Sequence, residues 1–233
     1  MSKLTAEDFR NFQLFAGFRT ETLATIAAAC MARDFGQGEL VIGHRDTTFD
    51  VFFLLSGKLQ ASLYSADGQR VGFHEMAPGV MFGEISAVDG QPRSVSVEAA
   101  QRCRIATMPR DRFLAMIESE PSFAMAVARQ LAAQVRRLTT RVFEFSTMAV
   151  RQRLRAELLR LARNGGAVTS GTATIDPVPT HAELASRIST HREAVSREMA
   201  WLENNGVLAK KGRSLVVPDI LRLRDLLEES FEG

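Results

Sequence analysis

Apolar residues change their spacing three times along this chain. Up to about Arg33, the residues Phe9, Phe12, Leu14, Leu23, Ile26 and Ala27 recur at helix-compatible intervals around a turn at Gly17, which predicts helices. From Phe35 to Met108 the pattern shortens into β-type runs: Leu40-Val41-Ile42, Val51 to Leu55, Leu59 to Tyr64 and Val71-Gly72-Phe73, then an alternation of Val95, Val97 and Ala99. Turn signals separate them at Gly36-Gln37-Gly38, Ser56-Gly57, Asp67-Gly68, Pro78-Gly79 and Asp89-Gly90. That interval fits a small barrel or jelly roll. After Pro109 nothing except Pro121 breaks a helix until Asn164-Gly165-Gly166.

Inside this helical stretch Leu131, Val135, Leu138, Val142, Phe145 and Ala149 step by fours and threes, the spacing of a coiled-coil seam. A helix lying on its own domain is one reading. A two-fold dimer is the preferred one, because the seam is bordered by Arg136, Arg137 and Arg141 and is better buried against an identical helix. Beyond it, Met148 to Arg163 offers a core face through Val150, Leu154, Leu158, Leu159 and Leu161. A loop rich in Gly, Thr and Ser follows, then two short helical patterns, two β-like runs and an amphipathic tail from Ile220 to Phe231.

Composition narrows the picture modestly. With 233 residues, 45% of them apolar and 24% charged, the chain is expected to be a soluble protein with two cores. The start, MSKLTAEDFRNF, lacks a secretory core and no apolar run would span a bilayer, so a cytoplasmic protein without a membrane partner is expected. Cys30 and Cys103 stand far apart, and His44, His74, His181 and His191 show no metal-ligand grouping. Neither a structural disulfide nor a metal site is expected. No nucleophile has a visible base, so no enzyme is expected either. The net charge of +2 is uneven: residues 151–213 hold eleven Lys/Arg against six Asp/Glu, which points to a polyanion partner for that third.

The segment FGEISAVDGQPRSVSVEAA, from Phe82 to Ala100, carries the most specific chemistry. Gly83 lets a ligand approach the backbone, and Glu84-Ile85-Ser86 can begin a short helix whose free amides favour an anion. Arg93 on a following strand adds a charged fork and Ser94 a hydroxyl. Glu84 can accept from a sugar hydroxyl. Together they describe a pocket for a small ribose phosphate. A Glu84–Arg93 ion pair closing a barrel end is the competing reading.

The string resembles the phosphate-binding cassette of cyclic-nucleotide-binding domains, with that family's Phe-Gly-Glu start and Arg-Ser finish, and VFFLLSGKLQASLY resembles its strand–Gly–strand segment. The resemblance implies a β-roll in which Gly83, Ile85 and their neighbouring amides, with Arg93 and Ser94, hold a cyclic phosphate while Glu84 holds the ribose. It implies cyclic AMP as allosteric ligand, with cyclic GMP as a possibility. In the cyclic AMP receptor group a Thr-Ser pair on the dimer helix reads adenine. Leu138 and Thr139 fall there, with Thr140 adjacent, while Phe73 and Met76 are placed to pack the purine and His74 stands where a small polar residue is common.

Downstream, Thr180 with Glu183 forms a capping box ahead of Leu184 and Ile188. Ser189-Thr190 are expected to turn the chain and cap a second helix with Val195, Met199 and Leu202 inward. His191, Arg192, Glu193, Ser196 and Arg197 then face outward near its start, a surface suited to the DNA major groove. Val207-Leu208 and Ser214 to Val217 around Lys210-Lys211-Gly212-Arg213 add a two-stranded wing. HREAVSR resembles the Arg-Glu-x-x-x-Arg recognition pattern of Crp/Fnr regulators. That resemblance gives Arg192, Glu193 and Arg197 a base-reading role and makes Thr180, His191, Ser196 and Lys211 candidate phosphate contacts.

The expected fold is therefore α+β: a jelly-roll-like cyclic-nucleotide-binding β-roll over residues 1–109, a dimerisation helix over 110–148, and a winged helix-turn-helix over 149–233. The implied function is a homodimeric transcription regulator on a pseudo-palindromic operator in double-stranded DNA, with RNA polymerase as a further partner. The alternative is a regulator of the same family that senses another ligand, or binds DNA constitutively, with a vestigial pocket.

Overall fold

The structure, a computed structural model, describes residues 3–64, 70–164 and 171–228, and the side chains of residues 64, 70–74 and 164 lie outside that description. The chain divides into two compact units, Met1–Arg137 and Leu138–Gly233. No helix among the described residues is long and apolar enough to cross a membrane.

The first unit opens with two 3-10 turns, Ala6–Phe9 and Gln13–Phe15, and helix α1, Thr20–Ala28. The helical reading up to Arg33 runs too far. Strand β1 already begins at Met31 and continues to Phe35, each residue paired with a later strand. Only Phe35 of MARDF is buried; the ladder's hydrogen bonds, not an apolar pattern, make this segment a strand, which is why periodicity overlooks it.

Seven more strands follow: β2 Leu40–Ile42, β3 Val51–Ser56, β4 Leu59–Tyr64, β5 Arg70–Met76, β6 Met81–Phe82, β7 Ser96–Ala99 and β8 Cys103–Met108, with the short helix α2, Glu84–Asp89, between β6 and β7. They form two four-stranded antiparallel sheets, ordered β1-β8-β3-β6 and β2-β7-β4-β5. The unbroken apolar run of β3 has a two-sided explanation. Phe52 and Leu54 face Leu59, Val97 and Ile105 between the sheets, while Val51 and Phe53 face an aromatic cluster that includes Phe9, Phe12, Phe15, Phe113 and Phe123. A strand covered on both faces has no polar alternation to show.

Helix α3, Arg110–Ser119, is separated from α4, Pro121–Thr147, by extended Glu120. Pro121 occupies the first helical position, where its missing N–H costs nothing. The first turns of α4 bury Phe123, Ala126 and Val127. The apolar row with coiled-coil spacing is exposed over a shorter length than the sequence suggests: Leu131 packs on the first unit's core and Ala149 lies past the helix end. Between them Val135, Leu138 and Val142 are 62%, 65% and 65% exposed.

In the second unit α5, Val150–Asn164, is followed by β9 Ala173–Ile175, α6 His181–Arg187, α7 Arg192–Asn204, β10 Ala209–Lys211, β11 Ser214–Val217 and α8 Ile220–Glu228. The wing has three strands, not two. Ala173-Thr174-Ile175, inside the stretch read as loop, pairs antiparallel with β11 and buries Ala173 and Ile175. The tail closes the core: Leu223 is fully buried, and the Leu226 carbonyl accepts from Arg155 at 2.8 Å.

Candidate ligand pocket and nucleic-acid interface

The strand–turn–helix from Met81 to Asp89 turns on Gly83, whose φ of +83° lies in the left-handed region. A Cβ there would stand 2.9 Å from Nη1 of Arg93 and 3.0 Å from the Asp50 carbonyl. Both the dihedral and the close approach therefore require glycine.

Arg93 is 3% exposed. Its backbone is clamped by the loop after β2: the Arg93 N–H donates to the Asp46 carbonyl and its own carbonyl accepts from Arg45, both at 2.9 Å. The guanidinium donates from Nη1 to the Gly83 carbonyl at 2.8 Å, from Nη2 to the Asp50 carbonyl at 2.8 Å and from Nε to the Thr48 hydroxyl at 3.2 Å. Every one of these acceptors is neutral. Burial pulls the Arg93 pKa below the ordinary arginine value, against the opposing pull of the Asp50, Asp46 and Glu84 carboxylates. A buried cation held by neutral partners is stabilised by any anion that reaches it.

Glu84, 1% exposed, is not ion-paired with Arg93, so the barrel-closing salt bridge is ruled out. Its Oε1 accepts from Gln134 at 2.7 Å and Gln130 at 3.2 Å, and Gln130 also donates to the Met81 carbonyl at 3.0 Å. Gly83, Glu84, Ile85, Arg93 and Ser94 all line one cavity of about 150 Å³, together with Ser86, Met76 and Gln134. Phe73 pairs with Ser62 through its backbone in β5, but its side chain and that of His74 lie outside the described residues. Leu138, Thr139 and Thr140 are exposed positions of α4 in the second unit. The α4 side chain that lines the cavity is Gln134.

Sequence reasoning missed Gln130 and Gln134. A faint signal exists: they continue the 126, 130, 134 row of α4, whose first member, Ala126, is buried, so polar side chains on that row must find polar partners.

In the second unit Thr180 caps α6. Its hydroxyl accepts from the Glu183 N–H at 3.2 Å, and Glu183 Oε2 accepts from the Thr180 N–H at 2.7 Å. The cap of α7 is His191, not Thr190; Ser189 makes the turn with a φ of +49°, and that conformation carries the helix start one residue further on. Val195, Met199 and Leu202 are buried, while His191, Arg192, Glu193, Arg197 and Lys211 are exposed. Ser196 is half-buried and its hydroxyl lies 2.8 Å from Nδ1 of His181. Two hydroxyls expected to meet phosphate, those of Thr180 and Ser196, are thus engaged within the protein. Lys210 bridges Glu203 at 3.0 Å.

Comparison with known proteins matches residues 32–120 to the cyclic nucleotide-binding domain and residues 152–226 to the Crp-like helix-turn-helix domain. The chain is 26% identical over 210 residues to the CRP-like cAMP-activated global transcriptional regulator of Mycobacterium tuberculosis, covering 90% of this chain and 94% of that one. It is 28% identical over 197 residues to the cyclic AMP receptor protein of Thermus thermophilus, covering 84% and 87%. FixK2 from Bradyrhizobium japonicum shares the fold, with a TM-score of 0.71 at 19% identity over 84% of this chain and 96% of that one. With both domains present in this order and both built as described above, the chain belongs to the Crp/Fnr family of DNA-binding transcription regulators.

Proposed function

We propose that the chain is switched by a cyclic nucleotide, cyclic AMP in the first place, and that it reads DNA as a homodimer. The observation that carries this reading is Arg93: a buried guanidinium with three neutral acceptors, two of its five N–H groups uncommitted, beside a cavity shared with Gly83, Glu84 and Ser94. A cyclic phosphate supplies the missing charge. Glu84 is held through Oε1 alone, which leaves Oε2 to accept from the ribose hydroxyl. Met76 and the Phe73 position of β5 supply apolar contact for the base. The cAMP-activated relatives support the choice of ligand.

Residues 110–148 supply the dimer contact, through the exposed run of Val135, Leu138 and Val142, and place Leu138, Thr139 and Thr140 where a partner's ligand can meet them. In residues 149–233, Arg192, Glu193 and Arg197 read base edges while His191 and Lys211 meet phosphates. Two heads related by a two-fold axis need half-sites about one helical turn apart, so the operator is pseudo-palindromic. Ligand and DNA then strengthen each other's binding. Such a protein works in the cytoplasm, alongside RNA polymerase, and turns over no substrate.

Leu138 favours a second reading, in which the nucleotide pocket is vestigial and another signal is sensed, because an apolar side chain stands where the family's base-reading hydroxyl is expected. Redox sensing through cysteine has less support: burial pushes the Cys30 thiol up to about 12 and raises that of Cys103, which disfavours the reactive thiolate in both.

Calorimetry with cyclic AMP and cyclic GMP separates the two. Micromolar-class binding of one of them, about −8 kcal/mol, is expected for the wild type, and a loss of at least ~100-fold in Arg93→Leu. No heat with either nucleotide would select the second reading.

A further inference from the structure

Where the long helix meets the reading head, the second unit contains a cluster of buried charge that neither the cavity nor the DNA-facing surface uses. Glu144, near the end of α4, and Glu157, in the middle of α5, have side chains 7% and 4% exposed. Arg141 of α4 donates to both, at 3.3 Å to Glu144 and 3.1 Å to Glu157. Arg160 of α5 mirrors it, at 2.7 Å to Glu144 and in direct contact with Glu157. Arg187, the last residue of α6, reaches Glu157 at 3.3 Å. Each carboxylate is thus gripped from both long helices, and Glu157 also from the first helix of the helix-turn-helix.

The backbone of the connection is tied as well. The Met148 N–H donates to the Glu144 carbonyl at 3.0 Å and the Ala149 N–H to Gln152 Oε1 at 2.7 Å. Apolar packing adds little to the fastening: Val142, Phe143 and Phe145 in the same turns of α4 are 65%, 55% and 41% exposed, and Phe145 meets α5 through the Arg153 guanidinium, 5.2 Å from its ring centroid. A buried charge cluster adds little net stability over apolar side chains of the same volume. Its directional bonds favour the one geometry in which Arg141, Arg160 and Arg187 all reach the two carboxylates.

We propose that this cluster is a clasp that makes the last two turns of α4 part of the reading head. Arg141, Glu144 and Glu157 are then positioning residues for the coupling of the nucleotide signal to the head, not for the head's own contact with DNA. A signal passing along α4 turns the head as one body, and bending is absorbed N-terminal to Arg141 instead of at the Thr147–Val150 connection. The signalling half of this inference rests on the nucleotide-responsive reading given above; the mechanical half does not.

The test is a double variant, Arg141→Gln with Glu144→Gln, which removes the α4 arm and leaves Arg160, Glu157 and Arg187 joined inside the head. Hydrogen exchange of the full-length protein should accelerate about tenfold at the amides of residues 147–151, with head-core amides around Leu184 and Met199 unchanged. Operator affinity without nucleotide should stay within about threefold, while the ratio of affinities with and without cyclic AMP falls by about tenfold. Arg141→Lys, which keeps the charge, should retain most of that ratio. Unchanged exchange at 147–151 overturns the clasp, as does faster exchange with the ratio intact in a wild type that responds to cyclic AMP. A wild type whose operator affinity ignores cyclic AMP counts against the nucleotide reading alone, and the exchange result still decides the clasp.

Discussion

The two halves of the molecule bury charge in opposite ways. In the first, Arg93 and Glu84 are almost fully buried and their hydrogen-bond partners are neutral: two backbone carbonyls and a hydroxyl for the cation, two side-chain amides for the carboxylate. In the second, Glu144, Glu157 and Arg155 are just as buried and each meets an opposite charge, Arg155 binding Glu198 at 2.7 Å. Desolvation penalises both arrangements. Only the second is compensated by direct ion pairs; in the first the Asp50, Asp46 and Glu84 carboxylates act on Arg93 without bonding it. Burial alone therefore does not mark a candidate ligand-binding charge; a buried charge without an ion-pair partner is the better marker, since its bonding capacity is left for a ligand.

The largest expected effect tests this difference through stability. Glu157→Leu strands the arginines around it and should destabilise the second unit by ~3–5 kcal/mol, read as a lower urea midpoint. Arg93→Leu removes a charge whose desolvation the nearby carboxylates offset only in part, and the carbonyls it leaves behind cost about as much as is gained, so the first unit's stability should move by no more than about 1 kcal/mol. Comparable losses in both variants would erase the distinction between the halves.

A smaller effect bears on recognition. Arg192→Ala, at the exposed start of α7, should relax discrimination at one base pair by ~1–3 kcal/mol in competition binding. If the preferred operator is unchanged in that variant, α7 is not the reading element. Smaller again is Gln134→Ala, which removes the 2.7 Å donor from Glu84. Nucleotide affinity should fall by about 1 kcal/mol, the usual worth of one positioning hydrogen bond. An unchanged affinity would mean that Glu84 is held well enough by Gln130 alone.

What could be read in the sequence was local. The left-handed turn at Gly83 with the start of α2, and the capping box of Thr180 with Glu183, each lie within a few residues, and their geometry follows from their neighbours. The two antiparallel sheets are announced by the turn signals between their strands. What escaped was settled by partners far along the chain. Gln130 and Gln134 reach Glu84 across 46 and 50 positions; Arg187 reaches Glu157 across 30. The strand at Ala173–Ile175 owes its existence to β11, which follows it by some forty residues. The seam ran one step too far at each end because spacing cannot show that Leu131 already has an apolar surface to cover.

The smallest effect concerns a third kind of charge, exposed and without a partner. Lys211 at the wing makes no ion pair among the described residues, whereas its neighbour Lys210 is joined to Glu203. Water and salt already solvate Lys211, so its removal should leave folding stability unchanged. On DNA the same side chain displaces condensed counterions, and each phosphate neutralised contributes about −0.9 to the slope of log K against log salt. Lys211→Ala should flatten that slope by about one and weaken specific and non-specific DNA by the same factor, measured by titration at several salt concentrations. A loss confined to the operator would instead assign Lys211 to base reading. An unchanged slope would place the wing tip off the duplex, and Arg192, Glu193 and Arg197 would then have to hold the head on DNA without it.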